Sequence, residues 1–179
     1  MITEAHYNNF QKQLTANKLF RYFWQFWSNY AFVFFIIAFL ILATSYDFRA
    51  AFGEILILSF ISFLVARGIL VTIINLVYEK KRPYQQYAFE PITSKFFSFK
   101  TQTPNSFPSR HTTAYFSVVA VVSLFVPALG AVLFGISLVA GAGRVVLGYH
   151  WPSDIIVGMI IGTAVGILTT YIAYPIIFT

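Results

Sequence analysis

A chain of 179 residues with 58% hydrophobic and 10% charged positions is too poor in charge for a soluble domain, which carries about 25%. Its mean hydropathy of +0.72 marks an integral membrane protein with length for roughly five or six spans and no separate soluble domain. The lack of cysteine excludes disulfides and thiolate metal sites, and a net charge of +6 carried at span ends favours anionic lipid headgroups over nucleic acid.

Residues 1–21 set Glu4, Lys12, Lys18 and Arg21 among Phe10, Leu14, Leu19 and Phe20. That spacing predicts an interfacial helix lying on the bilayer; a frayed polar tail is the plainer alternative. Tyr22 to Tyr46 is free of charge and opens with Trp24, Trp27 and Tyr30, an aromatic belt at the entrance of a first span. Asp47, Arg49 and Glu54 mark a turn. The second span, about Ile55 to Tyr78, carries Arg67 near its middle. A lipid-facing guanidinium there costs a few kcal/mol, so Arg67 is expected to face the bundle interior or a partner carboxylate. In Glu79-Lys80-Lys81-Arg82-Pro83, the proline is expected to stop the helix and hold Arg82 at its mouth. A simple basic stop at the interface reads the same way. Residues 84–107 form the long connection, and Lys95, Lys100 and Phe96-Phe97-Ser98-Phe99 suit a lid lying on the membrane over a lipid headgroup.

The next element opens with Ser106-Phe107-Pro108-Ser109-Arg110-His111 and is apolar to Val126. Pro108 fits the first helical position. Free N–H groups at a helix start make an anion site, to which the Ser109 hydroxyl adds a donor and at which His111 can point. Ordinary capping with a stray histidine is the alternative. Pro127 turns the chain into a fourth span, about Ala128 to Val146. Between it and the fifth span, about Ser153 to Tyr174, the stretch from Gly143 to Asp154 holds an arginine, a histidine and an aspartate. Pro152 suits a helix start, so Asp154, four residues after His150, can reach back to the imidazole and fix its tautomer. A histidine so held is a nucleophile or a base. Arg144 offers a fork for phosphate oxygens. The plainer reading has Arg144 and Asp154 anchoring helix ends at the headgroups. Gly158, Gly162 and Gly166 at four-residue spacing predict close helix packing.

Counting span ends puts Arg82, the Ser109–His111 helix start, Arg144 and His150 on one face. The set has cations, an anion-binding helix start, two histidines and one carboxylate, without a carboxylate cluster for magnesium. With three histidines in all, His6, His111 and His150, few metal centres are possible. The pattern describes metal-free phosphoryl transfer: cations hold the equatorial oxygens, one histidine attacks phosphorus, and the other protonates the leaving oxygen.

Arg82-Pro83, then Pro108-Ser109-Arg110-His111, then Arg144 with five residues to His150 and three more to Asp154, resemble the three signature motifs of the type-2 phosphatidic acid phosphatase superfamily. That superfamily covers membrane lipid phosphatases and, more distantly, vanadium haloperoxidases. The resemblance runs from about residue 75 to residue 170. It implies that His150 forms a phosphohistidine, Asp154 orients it and His111 is the general acid. Arg82, Arg144, Ser109 and the backbone of Arg110 would cradle the phosphate, with no cofactor or metal. The family's first motif usually has a lysine seven residues before its arginine, where this chain has Asn75; Lys80, Lys81 and Arg67 are candidates for that charge. Arg110 stands where glycine is usual, and Gly143 where serine is usual.

The reduced first motif and the polar residue at 110 are similar to bacterial undecaprenyl-diphosphate phosphatases. The expectation is one membrane-embedded domain over residues 1–179, an all-α polytopic bundle of about five transmembrane helices plus the N-terminal interfacial helix. It would sit in a cell membrane and turn undecaprenyl diphosphate into undecaprenyl phosphate. Phosphatidylglycerophosphate, phosphatidic acid and lipid A are the alternative substrates. A lipid-phosphate binder without turnover is the alternative of another class. A transporter would need more polar residues along the spans than this chain has. The cations on the active face place it in the cytoplasm by the positive-inside rule, whereas the family resemblance places it outside.

Overall fold

A computed structural model describes residues 9–10, 12–13, 16–45, 49, 51–87 and 105–178. Most of the expected lid (88–104, with Lys95, Lys100 and Phe96 to Phe99) lies outside the described residues, as do Glu4, His6, Leu14 and Asp47. The described residues form helices and connections without a strand.

Helix α1 is Lys18–Thr44, 27 residues, and starts because the Asn17 side chain accepts from the Phe20 N–H at 3.1 Å. Lys18 to Arg21 therefore belong to the first long helix and not to a separate interfacial one. Helix α2, Phe52–Val77, is continuous through a π-helical stretch at Leu64–Leu70. It ends at Val77, one residue short of the expected Tyr78 and six before Pro83. Tyr78 turns extended, the Lys80 carbonyl accepts from the Ser106 N–H at 2.8 Å, and the Lys80 N–H donates to Asn105 Oδ1 at 3.0 Å. The strand-like tie to residues 105–106 takes the backbone groups a further helical turn would need. Pro83 instead opens the short α3, Pro83–Gln86. The remaining helices are α4, Arg110–Phe125, α5, Pro127–Val146, and α6, Pro152–Ile177.

Helices α1, α2, α5 and α6 are long and apolar enough to cross a membrane. Helix α4, with 16 residues, is shorter and sits at the centre of the bundle, with Thr112, Thr113, Ala114 and the run from Phe116 to Val122 buried. Large apolar side chains such as Leu40, Phe60, Leu76 and Ile160 point outward. On a soluble surface they would be a liability; against lipid they are the expected face.

Glycines set the closest approach. A Cβ on Gly162 would meet the Thr113 carbonyl, one on Gly166 the Ser117 carbonyl, and one on Gly158 would stand 3.1 Å from Thr113 Oγ1. Helix α6 thus lies backbone against backbone on α4. Some hydroxyls inside the spans are spent locally: Ser62, Ser137 and Thr170 donate to the carbonyls of Ser59, Leu133 and Gly166 at 2.7–3.0 Å. The apolar core of Phe35, Leu42, Ile55, Val119, Val122 and Leu133 fills one end of the bundle. The end of α2, the starts of α4 and α6 and the end of α5 meet at the other, where the polar motifs are.

Candidate active site

The turn after α5 is built for His150. Gly148 adopts φ 79°, a left-handed conformation natural to glycine, and the Tyr149 and His150 N–H groups then reach the Arg144 carbonyl at 2.9 and 3.2 Å. Pro152 begins α6, and Asp154 in its first turn accepts from the Trp151 N–H at 2.8 Å. His150 is 3% exposed and Asp154 is fully buried.

His150 Nδ1 lies 2.9 Å from the Ser106 carbonyl, which only accepts, so Nδ1 carries the proton and Nε2 is the acceptor nitrogen. Asp154 Oδ2 stands 3.7 Å from Nδ1, outside hydrogen-bond reach. The expected reach of Asp154 to the ring is thus an ion-pair contact, and beside it runs a relay: Asp154 accepts from the Ser106 hydroxyl, and the Ser106 carbonyl holds the ring. The other carboxylate oxygen pairs with Lys80 Nζ at 2.6 Å, and Lys80 also donates to Ser153 Oγ at 2.8 Å. Lys80, expected among the phosphate cations, is thus a partner of Asp154.

Arg82 faces the free side of the ring. Its Nη1 donates to the Tyr149 carbonyl at 2.9 Å and stands 3.3 Å from His150 Nε2, while Nη2 donates to the Asn105 carbonyl at 3.1 Å. Burial pushes the His150 imidazole down to about 4; Arg82 and Arg144 add to the shift and Asp154 opposes it. At neutral pH the ring is uncharged, and its Nε2 lone pair faces the Arg82 guanidinium.

Ser109 is the N-cap of α4. Its Oγ accepts from Thr112 N and Thr112 Oγ1 at 3.4 and 3.0 Å, so capping occupies its acceptor side. Its N–H donates to the Asp154 carbonyl at 3.1 Å, tying the start of α4 to the start of α6. The expected helix start at Pro108 is displaced two residues, to Arg110. The Arg110 and His111 N–H groups have no acceptor among the described residues. Arg110 Nε and Arg144 Nε are buried and likewise without a partner there. His111 meets Tyr115 edge-on at 6.3 Å and lies within electrostatic reach of Arg67, Arg82, Arg144 and His150. Lys81 is exposed, and its carbonyl accepts from Trp151 Nε1 at 2.9 Å. Among the described residues no three of His, Asp and Glu converge as metal ligands.

Buried, unpartnered donors beside a neutral imidazole have a counterpart among known families. Residues 54–177, which take in every motif of this site, match the PAP2 superfamily. The chain belongs to the PAP2 superfamily. It is also similar to bacitracin transport permease protein BcrC of Bacillus licheniformis, with 32% identity over 79 residues. That match covers 44% of this chain and 38% of the relative's length.

Within this PAP2 site the departures in sequence have structural counterparts. A Cβ on Gly143 would stand 3.2 Å from the Trp24 carbonyl and 3.4 Å from Ser28 Cβ. Glycine there lets α1 lie close, and Arg144 Nη2 donates to the Ser28 carbonyl at 2.9 Å. The Asn75 main-chain carbonyl accepts from Asn105 Nδ2 at 3.2 Å, and its side-chain Oδ1 is buried without a partner among the described residues. Arg67 does face the interior, but its electrostatic neighbours are Tyr115 and Arg110, with no carboxylate paired to it among the described residues.

Three contributors escaped the sequence reading. Asn105 bonds the carbonyls of Asn75 and Tyr78 and the N–H groups of Lys80 and Phe107, clasping the end of α2 to the start of α4. Ser106 carries the relay, and Ser28 anchors Arg144. An asparagine beside proline at a loop–helix joint was the available signal for the first. Main-chain carbonyls leave none for the others.

Proposed function

We propose that this PAP2 protein is a membrane lipid phosphatase that works without a metal through a phosphohistidine on His150. One observation carries the reading: the imidazole is neutral, fixed at Nδ1 by the Ser106 carbonyl, and presents Nε2 to the Arg82 guanidinium at 3.3 Å, the cation that would bring a phosphoryl group beside it. Arg82, Arg144 and the Arg110 and His111 N–H groups hold the three equatorial oxygens of a phosphoryl group there. Nε2 forms a bond to phosphorus as the bond to the leaving oxygen breaks, and His111 gives that oxygen a proton. His111 then takes a proton from water, whose oxygen attacks phosphorus; the N–P bond breaks, releasing phosphate and restoring His150. Asp154 stabilises the imidazolium stage through Ser106 and by its charge.

The substrate proposed is a lipid diphosphate, undecaprenyl diphosphate first, on the resemblance of the reduced first motif and Arg110 to bacterial undecaprenyl-diphosphate phosphatases. The name of the Bacillus licheniformis relative supplies a second reading, transport of bacitracin. Detergent-purified protein separates the two, because hydrolysis needs no compartment. Phosphate release would be followed in EDTA with undecaprenyl diphosphate, phosphatidylglycerophosphate and phosphatidic acid, with His150→Ala as blank. The phosphatase reading expects release that survives EDTA and vanishes with His150→Ala, fastest on the diphosphate. Release that persists in His150→Ala would sink the phosphohistidine. No release from any lipid would favour the transport reading.

A further inference from the structure

Arg67 is a full charge near the middle of α2. It makes no ion pair or hydrogen bond with a described residue; its guanidinium lies 5.8 Å from the Phe63 ring. A mid-span cation costs a few kcal/mol unless something compensates it. Asp154 is the sole buried acidic side chain among the described residues, and Lys80 already holds it. The neighbours of Arg67 make the deficit worse. It sits within electrostatic reach of Arg110, His111 and Arg144. The segment that carries it is π-helical, Leu64–Leu70, and packs on α4. Such segments are rare and gather at functional sites. A cluster of this sign calls for a bound anion.

Its position says which anion. The His150 ring meets Arg82 first, at 3.3 Å. His111, which protonates the leaving oxygen in the phosphatase reading, meets Tyr115 at 6.3 Å and has Arg67 among its charged neighbours. In-line displacement puts the leaving oxygen opposite the attacking Nε2, on the His111 side. When the substrate is a monophosphate, an alcohol leaves there. When it is a diphosphate, a second, charged phosphate leaves there. Building on the phosphatase reading above, we propose that Arg67, with Arg110, is the subsite for the leaving phosphate of a lipid diphosphate. As the bridging P–O bond breaks, its electron pair passes to an oxygen of that phosphate, and the two guanidinium groups take up the added charge while His150 keeps the transferred phosphoryl group.

The test uses the full chain in detergent with two substrates of one tail, farnesyl diphosphate and farnesyl monophosphate. Arg67→Gln should lower kcat/KM at least about tenfold further on the diphosphate than on the monophosphate, the effect of one charge-assisted hydrogen bond. Arg67→Lys should recover part of the difference. If Arg67→Gln fails to fold, Arg110→Gln should shift the same ratio. Equal losses on both substrates, or no loss, overturn the subsite. A second readout does not depend on which lipid is cleaved. Methylenediphosphonate should inhibit the wild type at least about tenfold more tightly than orthophosphate, and Arg67→Gln should erase that preference. A wild type without the preference overturns the proposal. A wild type that cleaves only monophosphates, yet keeps an Arg67-dependent preference, removes the diphosphate lipid as substrate and leaves the subsite standing.

Discussion

The carboxylate of Asp154 gathers donors from three places in the chain: Lys80 after α2, Ser106 before α4 and the Trp151 N–H at the start of α6. An amide in its place keeps the shape, loses the charge and turns an N–H toward the Lys80 ammonium. Asp154→Asn should therefore cut kcat about tenfold to a hundredfold while KM moves less, in steady-state kinetics on any lipid that the wild type cleaves. A drop in affinity with kcat intact would remove Asp154 from the relay. The neighbouring ring gives a pH effect. His150 titrates near 4 when folded and near 6.5 as a free side chain, so between these values the unfolded chain binds the extra proton. Its contribution to stability is complete above about pH 6.5 and is lost as pH falls toward 4. Thermal unfolding in detergent should drop more between pH 7 and pH 4.5 for wild type than for His150→Gln. Much of this site was legible in the order of residues, because the four-residue step from His150 to Asp154 and the proline between them fix a helix start. Asn105 and the Ser106 carbonyl were not. The ring is held by a main-chain oxygen, which every residue has, and Lys80 looked like any interfacial cation until the fold brought it to Asp154.

At the scale of elements, α4 and α6 are the pair that positions the site, since both starts carry it. Their glycine stripe was readable as packing, although not which helix it faced. Gly162→Ala places a methyl group against the Thr113 carbonyl, and overpacking of this kind costs about 1–3 kcal/mol. Gly135→Ala, with nothing within 4 Å of the added Cβ, should cost nothing measurable. Melting temperatures of the two variants in the same detergent check the contrast; equal values would mean that the stripe does not set the helix spacing. Pro108 was read by its local preference as the first residue of α4, and that start moved to Arg110 where the Ser109 N–H bonds the Asp154 carbonyl; the end of α2, read at Tyr78, was found within a residue.

For the whole molecule, the bundle has a polar end with every motif and an apolar end with the Leu42, Ile55 and Leu133 core. Of the about five spans read from hydropathy, four are described helices long and apolar enough to cross a membrane; the shortness and central burial of the fifth, α4, were not readable, because a buried helix and a spanning one look alike in composition. Two signals disagree on which side the polar end faces, and the cysteine-free sequence makes that testable. Single cysteines at exposed Gln86 and Ala128 should fall on opposite sides. In intact cells an impermeant maleimide should label one and reach the other after permeabilisation. Labelling of both from outside would contradict the bundle. The contact that joins α1 to this end has a bearing on what α1 tolerates. Arg144 grips the main-chain oxygen of Ser28, and Gly143 yields room for it, so what is specified is the path of α1 rather than its side chains. Helix α1 lies outside the matched residues 54–177. An apolar substitution on its lipid-facing side, as at Leu40, leaves the main-chain oxygen that steadies the arginine where it is.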